Sequence, residues 1–478
     1  MAVIFFLLVL YTPHVKAQVK KLSFAEVDKV SYDLYSAQNW DSLTEFSKVA
    51  FAEGFDYFYL RLRTGIAYFN KGNYFNAAFH LEKAYKFNKS DAVANEYLYF
   101  SLINSNRNLE AAKYAKKFNA EIKKEIGTDS TNFIRLINFE TGPILSNNFS
   151  KNETNNLAGQ DSLFGEQDLN GNKYYNQLGF GMNILPNVSF YVGYNNLIIS
   201  KLKQIQTSDL IKTGYDTILD NGWYYVDTVY GRDLQLQENN YNFFQHSLYA
   251  SAPIAAGKNW IITPSAHWLH INYKTLFAYS EYEYYFAQSY DTIQSVKEVF
   301  YTEMDEVKVI NYVLSLALNK SYSIYNFGLF GSWSDLNYLN QYQAGAKVMV
   351  FPKGNLDLYT SAKFVSAWEN GDNRLVFELI AGSKLSEKVW GEASIAFGQM
   401  KNFNENNAYI IYNSGDEITL RAGGNFIVPL SPKVQLSLRY QYLKLQGYRN
   451  RLTSNDKLKT STISYNNNLL IGGLLWKF

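Results

Sequence analysis

The side chains able to do chemistry are few and scattered. Five His occur, at His14, His80, His246, His267 and His270. Only His267 and His270 are close, and residues three apart on a strand point to opposite faces. That spacing favours separate hydrogen-bonding roles over a shared metal ion. Asp168-Leu169-Asn170-Gly171-Asn172 has the start of a calcium loop but lacks the distal Glu. It reads more simply as a solvated turn. Cys is absent, which removes thiolate metal sites, disulfides and a lipid-modified N-terminal cysteine. The sequence has no phosphate-cradling Gly loop, His-Glu-x-x-His or Gly-x-Ser-x-Gly. No catalytic residue, cofactor or metal site emerges, and the expectation is a protein that is not an enzyme.

The patterned charges are more informative. On alternating segments of the second half, Lys347, Asp357, Lys363, Arg374, Glu378, Glu392, Glu417, Arg421 and Arg439 fall on the side opposite the apolar residues. Both signs are interspersed. A selective pore tends to carry rings of one sign, whereas mixed signs can neutralise each other across neighbouring strands. Arg374, Glu378, Glu392, Arg421 and Arg439 are therefore expected as lumen charges that pair with neighbours or water. Bulky Tyr191, Phe243, Tyr249, Tyr359 and Trp390 share the inward side, and the connection 199–240 is long enough to reach the mouth. The interior is expected to be largely closed.

Composition narrows the elements that position them. The 478 residues carry 45 Lys and Arg against 43 Asp and Glu, so there is no basic face for nucleic acid. Tyr and Phe number 40 and 33, yet the mean hydropathy is −0.25. No segment beyond the N-terminus has the ~18 consecutive apolar residues of a spanning helix. Strands need only alternate residues to be apolar, so a transmembrane barrel fits. Ala2–Leu10 is a short apolar run, and Val15 and Ala17 are small residues before a cut. Residues 1–17 read as a secretory signal, without the usual preceding Lys or Arg.

Residues 18–128 form a helical region that repeats. Leu43, Ala77 and Ala111 are 34 apart, as are Gln38, Gly72 and Asn106 at the expected inter-helix turns. Trp40, Tyr74 and Asn108 follow those turns at the same period. Gly65 and Ala77 are small, as close helix packing requires. This pattern resembles tetratricopeptide repeats, clearest over residues 58–91. Arg61 replaces the usual aromatic, and Lys89 the usual Pro. The resemblance implies a concave docking surface, with Tyr59, Arg63, Tyr68, Asn70 and Asn73 as candidate partner-binding residues.

From about residue 132 to 478 the period is two. Val188-Phe190-Val192-Tyr194, Ile310-Tyr312-Leu314-Leu316, Leu375-Phe377-Leu379 and Val434-Leu436-Leu438-Tyr440 each alternate with more polar residues. Short connections near 185–187, 253–258, 319–321, 351–355, 385–388 and 428–432 take turns with longer polar stretches at 147–172, 199–240, 275–304, 333–338, 366–372, 401–416 and 449–462. The count is about fourteen antiparallel strands, with tight periplasmic turns and larger extracellular loops. Asp220-Asn221-Gly222 reads as a hairpin turn, so several strands should continue beyond the bilayer. Leu470, Gly472, Leu474, Trp476 and Phe478 share one face. Gly473-x-x-Trp476-x-Phe478 resembles the terminal signal read by the barrel assembly machinery.

The fold expected is α+β and multidomain: periplasmic tetratricopeptide-like helices, then an outer-membrane barrel. It resembles tetratricopeptide-plus-barrel proteins of the YaiO-like group and of Bacteroidota. That resemblance implies location and topology; the docking surface adds the expectation of a non-catalytic subunit of an envelope assembly or export complex, with envelope proteins, outer-membrane lipid and lipopolysaccharide as partners. A pore for exopolysaccharide or solute is the competing expectation.

Overall fold

The computed structural model describes residues 21–127, 132–158, 162–220, 223–286, 293–453 and 457–478. The signal-like residues 1–17 and the turn pair Asn221-Gly222 lie outside the described residues. The chain divides into two compact units, Met1–Leu102 and Ile103–Phe478.

The first unit is helical. It contains α1 (Phe24–Ser36), α2 (Trp40–Ala52), α3 (Phe58–Asn70) and α4 (Tyr74–Phe87), while α5 (Ala92–Asn104) runs across the boundary. The starts of α1, α3 and α5, at residues 24, 58 and 92, are 34 apart. Those of α2, α4 and α6 (Asn108–Ala115), at 40, 74 and 108, repeat the period. Side-chain caps mark several of the helix entries. Ser23 and Glu26 cap α1 reciprocally, and Asn39 and Asn73 accept from the backbone of Ser42 and Asn76. Gln38, Gly72 and Asn106 all adopt left-handed backbone, with φ of 52°, 68° and 58°. Gly65 is small because a Cβ there would lie 2.5 Å from Leu81 Cγ.

The second unit continues through α6 and α7 (Ala120–Glu125) into strands. These are β1 (Ile134–Ser146), a short α8 (Asn148–Asn152), β2 (Ser162–Leu185), β3 (Val188–Asp220), β4 (Trp223–Ser251), β5 (Trp260–Phe286), β6 (Ile293–Tyr322) and β7 (Tyr325–Leu336). They continue as β8 (Leu339–Val350), β9 (Leu358–Glu369), β10 (Asp372–Ser386), β11 (Val389–Met400), β12 (Glu417–Pro429), β13 (Val434–Thr453) and β14 (Leu458–Lys477). Ile254–Gly257 prolongs β4 beyond Pro253, whose missing N–H interrupts the ladder. Each strand pairs with its neighbours, and β14 returns to β1 from Leu136↔Lys477 to Ser146↔Asn467. Among the described residues this makes a closed 14-strand antiparallel barrel.

The barrel wears its apolar residues outside. On β6, Ile310, Tyr312, Leu314 and Leu316 are exposed while Asn311, Val313 and Ser315 are buried. Exposed Trp260, Tyr322, Tyr325 and Trp476 stand near the end with short turns, and Tyr174, Tyr312, Tyr342 and Trp368 towards the other. An apolar band between two aromatic girdles is the surface of a barrel that sits in lipid.

The end opposite the short turns meets the expectation of strands continuing past the apolar band but differs from it in the lengths of the connections. Residues 199–240 and 275–304 are mostly strand: the β3–β4 ladder runs to Asp220↔Trp223, and β5–β6 to Phe286↔Ile293. Residues 333–338 and 366–372, read as longer connections, contain two-residue hairpins instead. Asn337-Tyr338 has φ of 55° and 63°, and Asn370-Gly371 has 50° and 88°, the doubly left-handed geometry that matches strand twist. Beyond the end of β1, Arg449–Thr453 of β13 pairs with Ser162–Gln167 of β2. This pairing draws the β13–β14 hairpin over the mouth.

Candidate functional site

The segment between β11 and β12 enters the barrel. Phe403–Glu405 pairs with Ile410–Tyr412, and Asn406, Asn407 and Ala408 form the tip with φ of 51°, 58° and 66°. Non-Gly residues adopt left-handed backbone at a cost of about 1–2 kcal/mol each, least for Asn. The tip therefore persists only where its surroundings hold it. Ser265 Oγ donates to Asn407 O at 2.6 Å, and His267 Nδ1 donates to Ala408 O at 2.6 Å. Since a carbonyl can only accept, the His267 proton sits on Nδ1. Tyr409 packs its ring against Tyr249 and Tyr191, at 5.1 and 6.1 Å between centroids.

The loop is fastened along its whole length. Asn404 Nδ2 donates to Ser332 Oγ at 3.0 Å, and Arg374 Nη1 donates to Lys401 O at 2.7 Å. Asn337 Nδ2 reaches both Asn402 Oδ1 and Asn413 O at 2.9 Å. Asn170 donates to Ser414 O and to Asp416, whose carboxylate also accepts from Tyr465 Oη at 2.6 Å. Around its base, Phe403 packs with Val365, Val376, Ala396, Met400, Leu443 and Tyr465. Residues from many staves of the barrel thus converge on one strand-to-strand connection.

A four-charge cluster forms the tightest attachment. Arg421 pairs with Glu405 at 2.8 Å and with Glu378, while Lys363 pairs with Glu378 and lies 3.9 Å from Glu405. The Glu405 side chain is 1% exposed, and those of Arg421 and Glu378 are 5% and 8%. Two cations and two anions cancel, which makes burial tolerable. Glu405 was not among the lumen charges read from sequence, because it lies on a connection rather than an alternating strand.

The five charges expected in the lumen are all on the inner wall. Arg374 pairs with Glu369 at 3.0 Å, Arg439 with Glu140 at 2.7 Å, and Glu392 accepts from Tyr359 Oη at 2.7 Å. Only Arg421 and Glu378 share one cluster. The loop separates two cavities. One of about 350 Å³, lined by Asn138, Glu140, Tyr191, Tyr409 and Asn425, lies towards the short turns. The other, about 420 Å³, includes Asp168, Asn170 and Lys201 on its wall and Asn413–Asp416 as its floor. Asp168 and Asn170 are on β2, so the calcium-loop-like stretch is strand rather than a solvated turn.

In the helical unit the candidate docking residues separate by environment. Tyr59 and Asn70 are exposed. Arg63 lies between the Tyr32 and Tyr59 rings and donates to Asp28 and Ser31 at 2.8 Å each. Tyr68 is buried and stacks on His80, and Asn73 caps α4. Arg61, where the repeat pattern has an aromatic, places its guanidinium 3.6 Å from the Phe51 ring centroid and donates to His80 Nδ1 at 2.9 Å. Burial, with the Arg61 and Lys83 charges, pushes His80 down to about 3. The Arg61 hydrogen bonds hold the Asp56 carboxyl below its usual range.

At the chain end, Trp476 and Phe478 are exposed and stack at 5.6 Å and 2°. Gly473 faces inward, where a Cβ would lie 2.3 Å from Ser437 Oγ.

No protein-family model matches the chain, and no curated protein matches it by sequence. Among solved structures it is similar to the translocator domain of autotransporter NalP from Neisseria meningitidis, with 10% identity, 79% of this chain and 99% of that chain covered, and a TM-score of 0.30. It is also similar to a Pseudomonas aeruginosa FadL homologue, with 9% identity, coverage of 72% and 90%, and a TM-score of 0.37. A deletion mutant of the monoaromatic hydrocarbon channel TodX gives 7%, 74% and 92%, and 0.39. At such identities and scores the likeness adds nothing to what the closed barrel itself says.

Proposed function

We propose that this chain is an outer-membrane barrel of a Gram-negative bacterium, closed to solutes at rest, that anchors a periplasmic helical docking module. The observation carrying this reading is the buried attachment of residues 401–416 inside the lumen by Glu405, Arg421, Glu378 and Lys363. An emptied barrel of this strand number would leave an aqueous channel; the loop occupies it. Both ends of the barrel strand order, Ile134 and Lys477, lie at the short-turn end, which in outer-membrane barrels faces the periplasm. Lys113 of α6 donates to Ala255 O at 2.9 Å in the prolongation of β4, within the second unit and at that same end. The 34-residue helix period supports tetratricopeptide-type docking of an envelope protein, with exposed Tyr59 and Asn70 available for contact.

The decisive experiment combines two measurements on protein purified from native membranes in mild detergent. Planar-bilayer recording should show little steady conductance, and a partner should co-purify with the full chain but not with one beginning near Asn132. Persistent open channels, or a truncated barrel that keeps every co-purifying protein, would overturn the reading. The second reading is a gated pore. It draws on cavities lying on both sides of a loop held by non-covalent contacts, which withdrawal would join.

A further inference from the structure

The cavity above the loop combines unpaired polar atoms with an aromatic wall. Its volume of about 420 Å³ falls within the ~300–1,000 Å³ typical of ligand pockets. Among the described residues, three buried polar atoms on its lining have no partner: Asn170 Oδ1, Asn413 Nδ2 and Asp168 Oδ1. Asn170 is 1% exposed and Asn413 is 6% exposed. The orientation of Asn170 is fixed, since its Nδ2 is spent on Ser414 O and Asp416 Oδ2; its oxygen is a free acceptor. Asn413 leaves a free donor. Asp168 Oδ2 takes Lys201 Nζ at 3.0 Å and Tyr241 Oη at 2.9 Å, leaving Oδ1 as a second acceptor. Leaving buried polar atoms unpaired is costly, and three around one cavity point to something that satisfies them.

The remaining features narrow the chemistry. Lys201 offsets Asp168, Lys203 offsets Glu166, and Lys173 and Lys201 both act on Asp416. The charges are internally matched, so an ion gains no counter-charge there. Tyr273 and Phe243 on the wall are stacked at 5.3 Å, and Tyr241 continues the row at 5.7 Å from Tyr273. Val307 and Val309 extend this apolar side. An alkyl chain would cover the rings but strand all three polar atoms, an inorganic anion would leave the rings unused, and Lys201 Nζ, 5.4 Å from the Phe243 ring centroid and 5.9 Å from that of Tyr241, already takes the place of a cation on them. A sugar ring meets both demands, because its hydroxyls donate and accept while its C–H face covers an aromatic surface.

We propose that this cavity is a binding site for a neutral saccharide, with Asn170, Asn413 and Asp168 reading hydroxyls and Tyr273 with Phe243 covering a ring face. The site requires no flow through the lumen, so it stands apart from either reading of the barrel. The test is isothermal titration calorimetry on the full-length protein in a detergent without a sugar headgroup. The probes are neutral mono- and disaccharides of glucose, galactose, mannose and N-acetylglucosamine, with glucuronate, glucosamine and decanoate for comparison. At least one neutral probe should bind saturably and more tightly than the charged and alkyl probes. Asn170→Ala and Asn413→Ala should each weaken it about tenfold, with the boiling-dependent gel shift of the folded barrel retained. Tyr273→Ala, whose ring packs on Tyr241 and Phe243 of the wall, should do the same and serves if the amide variants fail to fold. The proposal is overturned if no neutral saccharide of the panel binds, if decanoate or a charged probe binds more tightly, or if every folded variant keeps wild-type affinity.

Discussion

Glu405→Gln isolates the attachment of the lumen loop. The change keeps the side-chain shape and removes one charge from a cluster that is otherwise balanced: Arg421 and Lys363 are left with Glu378 alone. Stripping one partner from a buried ion pair costs about 3–5 kcal/mol. Arg421 and Lys363 keep Glu378, so the lower limit applies. A penalty of about 3 kcal/mol on the closed state alone raises the ratio of open to closed barrels on the order of a hundredfold, at tenfold per ~1.4 kcal/mol. The assay is open probability in planar bilayers, with a deletion of residues 402–415 setting the fully open conductance. Glu405→Met combined with Arg421→Met removes one charge of each sign, leaves Lys363 with Glu378, and should return the barrel to near wild-type closure. If the deletion conducts but Glu405→Gln opens no more often than wild type, the cluster does not hold the loop. A deletion that fails to conduct would show that the loop is not the obstruction.

The helical unit should lose stability in mild acid. His80 is held neutral in the folded state, at about 3 against 6.5 unfolded, so its contribution is complete above 6.5 and is lost as pH falls towards 3. At about pH 5 the loss is about 2 kcal/mol, readable as an earlier denaturant midpoint of the helical circular dichroism of the full chain. His80→Gln should flatten that dependence, and an unchanged profile would refute the assignment. Gly65→Ala should destabilise the same unit by about 1–3 kcal/mol through overpacking on buried Leu81, although helix propensity alone predicts stabilisation; a higher melting temperature would therefore count against the packing argument. Replacing Trp476 and Phe478 with Ala should lower the amount of heat-modifiable barrel in the membrane fraction, and normal accumulation would remove their assembly role.

What the sequence displayed clearly was anything repeated. Period two over many segments gave the strands, and Leu314, Leu316 and Leu379 are exposed on the lipid face while Asn311 and Glu378 are inside. The 34-residue spacing located the turns at Gln38, Gly72 and Asn106, all of which are left-handed. Connection lengths were harder to read. Asn370-Gly371 is a hairpin signal of the same kind as Asn221-Gly222, but the polar residues around it make it look like part of a longer loop. Polarity alone also cannot separate a solvated hairpin from a strand prolonged beyond lipid, which is why 199–240 looked like material for the mouth.

The lumen loop illustrates a deeper limit. Inside a barrel both the wall and anything filling it must be polar enough to match buried charges, so residues 401–416 carry the same Asn, Glu and Asp that an exposed loop would. Their burial follows from pairs with residues remote in sequence: Glu405 with Lys363, Asn413 with Asn337, Asp416 with Asn170. No local pattern encodes those partners. The inward charges on the strands did leave a trace, since Lys363, Glu378 and Arg421 sum to one excess positive charge. A wall with an unmatched buried cation calls for a carboxylate from elsewhere, and Glu405 on the connection after β11 supplies it. Only the register that brings Lys363, Glu378 and Arg421 into one row shows the imbalance, since the wall charges as a whole carry no excess cation.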